Sequence, residues 1–559
     1  MPRQYEVEMR LDVKTPMRDG VELSSDLYLP RASGESFPTV LVRTPYNNNL
    51  EPIIEKARRL ANDGYACVLQ DVRGRWDSQG QFYPFVDEPE DGFDTQQWIG
   101  QQPWSNGRIG MAGASYLACV QWLSAPLRNE FLTCMSPRVM CNDYFRGLLY
   151  PGGAFHLNVA LTWGMRTRAR TAQTIEFHNW TEAFHTLPLA EMATAAGDDV
   201  GYWRDWIEHS TDDDYWDALN VERKFHEIAV PALEMGGWYD LYAPRTFENW
   251  NGMRERGKTP EARQSKLIIG PWPHKLSTSS HLGDVDFGAK SVVDLDALET
   301  RWFDHWLKGI DTGIMDEPPL RLFIMGINEW RDEHEWPLAR TDWQEWHLHS
   351  GGKANTILGD GSLSIKPPGD DESPDQFVYD PEFPVQSIGG NNCCSPHIVP
   401  WGPYDQRPVE MRGDVLCYTS EPLAQDTEIT GPIEVTLFAA SDAPDTDWTA
   451  KLVDVAPSGY ALNLCDGILR ARYRDSFSEP TLIEPGEIYE YKIEVGVTGN
   501  VFRQGHRIRL DISSSNFPRF DRNPNTGHAI GVDADLRQAR QTVYHSRQYP
   551  SRIVLPVIP

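Results

Sequence analysis

The sequence predicts an α/β domain interrupted by a helical insertion and followed by an all-β sandwich or jelly roll. Three observations carry that reading. Residues 1 to about 142 alternate short buried-strand runs with helix-like segments, strand signals vanish between roughly 143 and 228, and beyond about 350 apolar residues recur at every second position. At 559 residues the chain is too long for one core, and about three domains is the natural expectation.

Each element follows in order. The N-terminus, MPRQYEVEMRLDVKTPMRDG, alternates like a strand and lacks the apolar core of a secretory signal. "FPTVLVRTPYNN" and "YACVLQDVRGRW" are short strand runs ending in polar or Gly-rich turns. In "GRIGMAGASYLACVQW" the apolar run Ile109 to Ala112 meets Gly113, Ala114 and Ser115, and a helix-like stretch begins at once. The insertion is rich in Trp, His and acidic residues, with helical spacing in "GYWRDWIEHSTDDDYWDAL" and a helix-start signal at Thr211 to Asp214. Strands return in "VPALEMGGWYD" and "SKLIIGPWPH", each ending in a turn that carries ionisable residues. Further on, Ile433, Val435 and Leu437 alternate, as do Tyr489, Tyr491, Ile493 and Val495, and then Ile508, Leu510 and Ile512. Gly-, Pro- and Asn-rich turns separate these runs, the signature of an antiparallel jelly roll. The expected organisation is 1–142 plus 229–350 as catalytic domain, 143–228 as a helical cap and 351–559 as a jelly roll.

Composition narrows the function. Net charge is −29, which repels phosphate and argues against a nucleic-acid partner. No run of about 18 apolar residues is present to span a membrane, so a cytoplasmic protein is expected. The eight cysteines form no C-x-x-C pair and have no histidines at zinc spacing. Most read as small buried hydrophobes, with adjacent Cys393 and Cys394 the exception. No metal or organic cofactor is called for. The oligomeric state is not encoded in these features, and a homodimer is left open.

A serine at a strand–turn–helix bend is the nucleophile elbow of α/β-hydrolases, whose tight turn needs small neighbours such as Gly113 and Ala114. The bend lifts the hydroxyl of Ser115 above the sheet and leaves the backbone N–H of Tyr116 free. The common G-x-S-x-G pattern is not met, because Leu117 stands at the last glycine, and a serine among small residues is often only a helix cap. Chain order strengthens the catalytic reading, since the acid and then the histidine follow the serine in this fold. Asp240 ends "GGWYD" and His274 follows "LIIGPWP", both where loops meet the carboxyl ends of strands. Histidine takes the serine proton near neutrality, and aspartate fixes its tautomer. His281 in "SSHLG" is the rival base. Tyr46 in "VRTPYNN" follows an early strand, where its phenol would serve as an oxyanion donor beside the Tyr116 amide or pack on the core.

Together "RTPY", "DVRGRWDSQG", "GMAGASY", "GGWYD", "GPWPH", "WFDHWLKG", "LFIMGINEWRDE", "DWTAKLVDV" and "SSSNFPRFDRN" resemble the cocaine esterase/X-prolyl dipeptidyl-peptidase family of serine hydrolases, and within it the cocaine esterase branch. The resemblance spans nearly the whole chain. It implies a split α/β-hydrolase domain with a helical cap and a C-terminal jelly roll. It places the nucleophile on Ser115, the acid on Asp240, the base on His274 and the oxyanion donors on Tyr46 and the Tyr116 N–H. The family's G-x-S-Y-x-G is broken at Ala118, a residue small enough for the packing to adjust. The resemblance also places Trp163, Tyr242 and, through a looser match, Leu148 in the acyl pocket. A jelly-roll loop would bring Cys393 and Cys394 there in place of larger apolar side chains, with a disulfide or a redox site as their alternative role. Amino-ester and peptidase branches hold a substrate ammonium with carboxylates. By the resemblance, the α-amino acid ester hydrolases carry acidic residues two and three places after the catalytic acid; those places are Tyr242 and Ala243 here, and Asp198 and Asp199 read as an exposed loop. The expected function is a carboxylesterase acting on a small-molecule ester or amide. X-Pro dipeptidyl-peptidase or α-amino acid ester hydrolase activity is the alternative.

Overall fold

The computed structural model describes residues 4–176 and 178–559. Strands β1 (Val7–Pro16), β2 (Glu22–Pro30), β3 (Phe37–Thr44), β4 (Ala66–Asp71), β5 (Ser105–Ala114), β6 (Leu132–Arg138), β7 (Leu233–Tyr239), β8 (Lys266–Pro273), β9 (Leu320–Ile324) and β10 (Glu329–Glu333) form one sheet. Its order is β1-β2-β4-β3-β5-β6-β7-β8-β9-β10. Pairing is parallel from β4 through β9 and antiparallel at both edges. Every residue of β3, β4, β7 and β8 is buried, as a sheet covered on both faces requires. Val40, Val42 and Ala112 face helices α1 (Glu51–Asn62) and α8 (Leu295–Lys308). Leu41, Val68 and Met111 face α2 (Glu88–Gly100) and α3 (Tyr116–Ser124) on the other side. The period-2 alternation of strand side chains thus feeds two separate cores.

Between β6 and β7 the described residues form helices and turns without a strand. They include a π-helical turn at Phe145–Leu149, α4 (Leu157–Thr167), α5 (Gly201–Glu208) and α6 (Asp214–Leu219). Asp213 caps α6 by accepting from Tyr215 N at 3.0 Å, so the acidic run does start a helix. Helix α7 (Ala243–Arg256) follows β7.

The C-terminal part is all-β, with eleven strands joined in one ladder. Ile433, Val435 and Leu437 meet Tyr491, Ile493 and Val495 and Ile508, Leu510 and Ile512 in a single core, with Tyr489 packed at its margin. The changeover between domains falls earlier than 350. Asp342–His349 pairs with Arg552–Ile558 and belongs to the β domain. This strand is mostly exposed at its start and follows the β9–β10 hairpin closely, so no break in pattern marks the boundary. Asp521 Oδ1 accepts from Phe155 N of the cap at 2.9 Å and from buried Arg470 at 2.7 Å. Among the described residues, no helix is long and apolar enough to cross a membrane.

Candidate active site

The chain turns from β5 into α3 at Ser115, which has φ 59° and ψ −126°. A non-glycine residue in that region is costly and persists only where its surroundings impose it. The preceding Gly113 has φ 145°, and a Cβ there would meet Leu117 Cβ at 2.3 Å, so the turn tolerates nothing larger. Ser115 N donates to Arg138 O of β6 at 2.9 Å, which anchors the bend. Tyr116 is the first residue of α3, and its N–H has no intrahelical acceptor. Beneath the bend the Tyr116 phenol donates to Glu88 Oε1 at 2.9 Å and accepts from Phe85 N at 3.0 Å. Glu88 in turn pairs with buried Arg43 at 2.8 Å. Burial pushes the Glu88 carboxyl up against the pull of that guanidinium.

Asp240 is fully buried, and its Oδ1 lies 2.7 Å from His274 Nδ1. Its Oδ2 accepts from Tyr242 N at 3.2 Å. The two residues follow adjacent parallel strands, β7 and β8, so one strand spacing separates them. Asn391, from the β domain, donates its side-chain amide to Trp238 O at 2.8 Å and Asp240 O at 3.0 Å, closing over the end of β7. Ser115 makes no hydrogen bond with His274 in the structure; that contact is one that substrate commonly tightens in hydrolases. His281 is exposed, pairs with Asp286 at 3.4 Å and does not line the cavity that Ser115 lines.

Tyr46 stands on the loop after β3. Its hydroxyl accepts from Trp163 Nε1 of α4 at 2.8 Å, which leaves its own proton to donate elsewhere. Burial, partly offset by the Trp163 and Ser115 hydrogen bonds, pushes the phenol above its usual range, so it stays protonated at neutral pH. Arg75 ties this loop to the cap, donating to Pro45 O at 2.8 Å and Thr167 O at 2.9 Å. Ser115, Tyr46, Tyr116, Leu148, Trp163, Tyr242 and Cys394 line one cavity of about 30 Å³, closed further by Phe85, Met140, Val159 and Trp206. The Tyr242 ring also packs edge-on to His274, with centroids 5.7 Å apart. Among the described residues, no carboxylate lines this cavity. Asp198 and Asp199 are exposed and pair with Arg168 and Arg204 at 3.1 Å.

Cys393 and Cys394 form a disulfide, the alternative role for the pair, and only Cys394 reaches the pocket wall. The other six cysteines are buried free thiols. Sequence reasoning missed Arg75, Glu88 and Asn391. The only signals were Arg75 inside "DVRGRW" and Asn391 two residues before the cysteine pair.

Comparison with known proteins agrees with this architecture. Residues 19–276 match the X-Pro dipeptidyl-peptidase (S15) family, and 312–554 match the X-Pro dipeptidyl-peptidase C-terminal non-catalytic domain. Cocaine esterase from Rhodococcus sp. (strain MB1 Bresler) is 38% identical over 580 residues, covering 98% of each chain. A solved α-amino acid ester hydrolase superposes with a TM-score of 0.84 at 26% identity, covering 100% of this chain and 97% of the other. An aminopeptidase from a marine sediment Thaumarchaeota archaeon shares the fold, with a TM-score of 0.86 at 24% identity over 99% of this chain and 97% of its own. With a relative of this identity matching end to end, the chain belongs to the cocaine esterase/X-Pro dipeptidyl-peptidase family of serine ester hydrolases.

Proposed function

We propose that the chain is a carboxylesterase working by two-step acyl transfer, with Ser115 as nucleophile, His274 as base and Asp240 as the group that fixes the imidazole. Asp240 holds the His274 proton on Nδ1, so the Nε2 lone pair takes the Ser115 proton as Oγ attacks the ester carbonyl. Tyr46 and the Tyr116 N–H stabilise the oxyanion. The alcohol leaves with the proton from His274, and water repeats the sequence on the acyl-serine. The single observation that carries this reading is the 2.7 Å Asp240–His274 hydrogen bond beside the apolar pocket that Ser115 lines.

The pocket also supports a choice within the family. A peptidase or amino-ester hydrolase must neutralise an α-ammonium, and among the described residues no carboxylate stands along this cavity. An uncharged, short acyl group suits it. Turnover of p-nitrophenyl butyrate, lost in Ser115→Ala, with Ala-Pro-p-nitroanilide left uncleaved, is the expected result. Fast anilide cleavage would move the assignment to a dipeptidyl-peptidase, and ester turnover surviving in Ser115→Ala would remove the nucleophile.

A further inference from the structure

The cysteines are of two kinds. Cys67, Cys119, Cys134, Cys141, Cys417 and Cys465 are free and buried, and burial pushes their thiols up, which makes them inert packing. Cys393 and Cys394 are joined to each other at the site. Cys394 is half-buried and lies on the wall between the apolar cavity and a wider cleft flanked by Arg166, His178 and His397. Solutes therefore reach it from the cleft. The two sulfurs and a ring nitrogen of His274 all lie within 4.8 Å of one another. Since Nδ1 is engaged by Asp240, Nε2 is the nitrogen free to bind a ligand.

We propose that reduction of the Cys393–Cys394 disulfide turns this cluster into a three-ligand site for a soft divalent cation such as Zn²⁺, formed by both thiolates and His274 Nε2. A dithiol reductant supplies two electrons and two protons. The S–S bond breaks, each Sγ gains a hydrogen, and the reductant closes to its own disulfide. The cation then displaces the two thiol protons to solvent. Thiolate and imidazole are the donors such a cation prefers. A tetrahedral ion with ligands at ~2.0–2.3 Å holds donor atoms roughly 3.5–3.8 Å apart, so the two sulfurs must separate from bonding distance to that span, while the imidazole nitrogen already lies within 4.8 Å of both. A metal-binding histidine is normally oriented by a carboxylate on its other nitrogen, and Asp240 already occupies that place.

The consequence for activity rests on the reading of His274 as the base. A cation on Nε2 takes the lone pair that Ser115 needs, so the reduced, metal-loaded protein is silent while the disulfide form is active. The test separates binding from inhibition. Full-length protein, untreated or reduced with dithiothreitol and desalted without oxygen, is titrated with Co²⁺ and Zn²⁺, and the Cys393→Ser/Cys394→Ser variant is treated alike. Thiolate-to-cobalt charge-transfer absorption and one zinc retained per chain are expected in the reduced protein alone. Its ester turnover should fall to background and return with a chelator. Equal metal uptake by the oxidised and reduced forms, or by the reduced protein and the double variant, would overturn the site. Thiolate–cobalt absorption with undiminished turnover would overturn the three-ligand site, since the metal would then be held by the sulfurs without His274, whereas the base assignment itself is tested separately by the loss of turnover in His274→Ala.

Discussion

Asp240 and His274 leave neighbouring strands of one sheet, and a 2.7 Å hydrogen bond joins them across a single strand spacing. Tyr46, which lines the pocket with Ser115, sits on a loop whose phenol is held from the cap by Trp163 and whose backbone is tied to the cap by Arg75. The proposed acid–base corner is thus built into the sheet and closed by Asn391 of the β domain. The proposed oxyanion corner depends on where α4 sits, since Trp163 holds the Tyr46 hydroxyl. In the proposed mechanism the two groups that move the proton both leave strands of the central sheet. In the same mechanism the charge-stabilising phenol is held by Trp163, which also lines the cavity, so the fit of the acyl group would be coupled to oxyanion geometry.

The largest expected effect comes from breaking the sheet-built corner. In Asp240→Asn the amide oxygen keeps the contact with Tyr242 N, and its NH₂ faces His274 Nδ1. The imidazole must then carry its proton on Nε2, where it cannot accept from Ser115. A fall in kcat on the order of 10⁴-fold is expected from triads of this kind, with unchanged thermal unfolding. Near-normal turnover would assign the acid to another carboxylate. At the oxyanion corner, Tyr46→Phe removes one donor while the Tyr116 N–H remains, so kcat should fall by ~10²–10³-fold with little change in KM. An unaltered kcat would leave Tyr46 as a packing residue.

The same contrast explains what could be read from the sequence. Ser115 is legible because a strand, three small residues and a helix must follow in immediate succession, and its φ of 59° is the physical form of that constraint. Asp240 and His274 are legible because strand ends are marked by apolar runs. Leu148, Trp163, Tyr242 and Cys394 reach one pocket, but their grouping came from family resemblance, since no local pattern connects them. Arg75, Glu88 and Asn391 were illegible for a stated reason: single polar residues in a sequence read as solvent-facing, and their partners lie far away in the chain. The hydrogen bond from Trp163 to Tyr46 spans 117 positions. Adjacent cysteines allow either free thiols or a disulfide, and only the conformation of the loop decides between them.

The smallest expected effect probes that long-range hydrogen bond. Trp163→Phe keeps an aromatic wall against Phe85 and Tyr116, whose rings stack on it, and deletes only the donor to the Tyr46 hydroxyl. One neutral hydrogen bond is worth about 0.5–1.5 kcal/mol net, so kcat should fall by roughly 2- to 10-fold while KM hardly moves. A packing role alone would shift KM or stability instead. The double variant separates the two. If Trp163 acts by positioning the Tyr46 phenol, Trp163→Phe should cost little in a Tyr46→Phe background, because the group it positions is already gone. Additive losses would mean that Trp163 contributes through the pocket wall, and the oxyanion corner would then be independent of the cap.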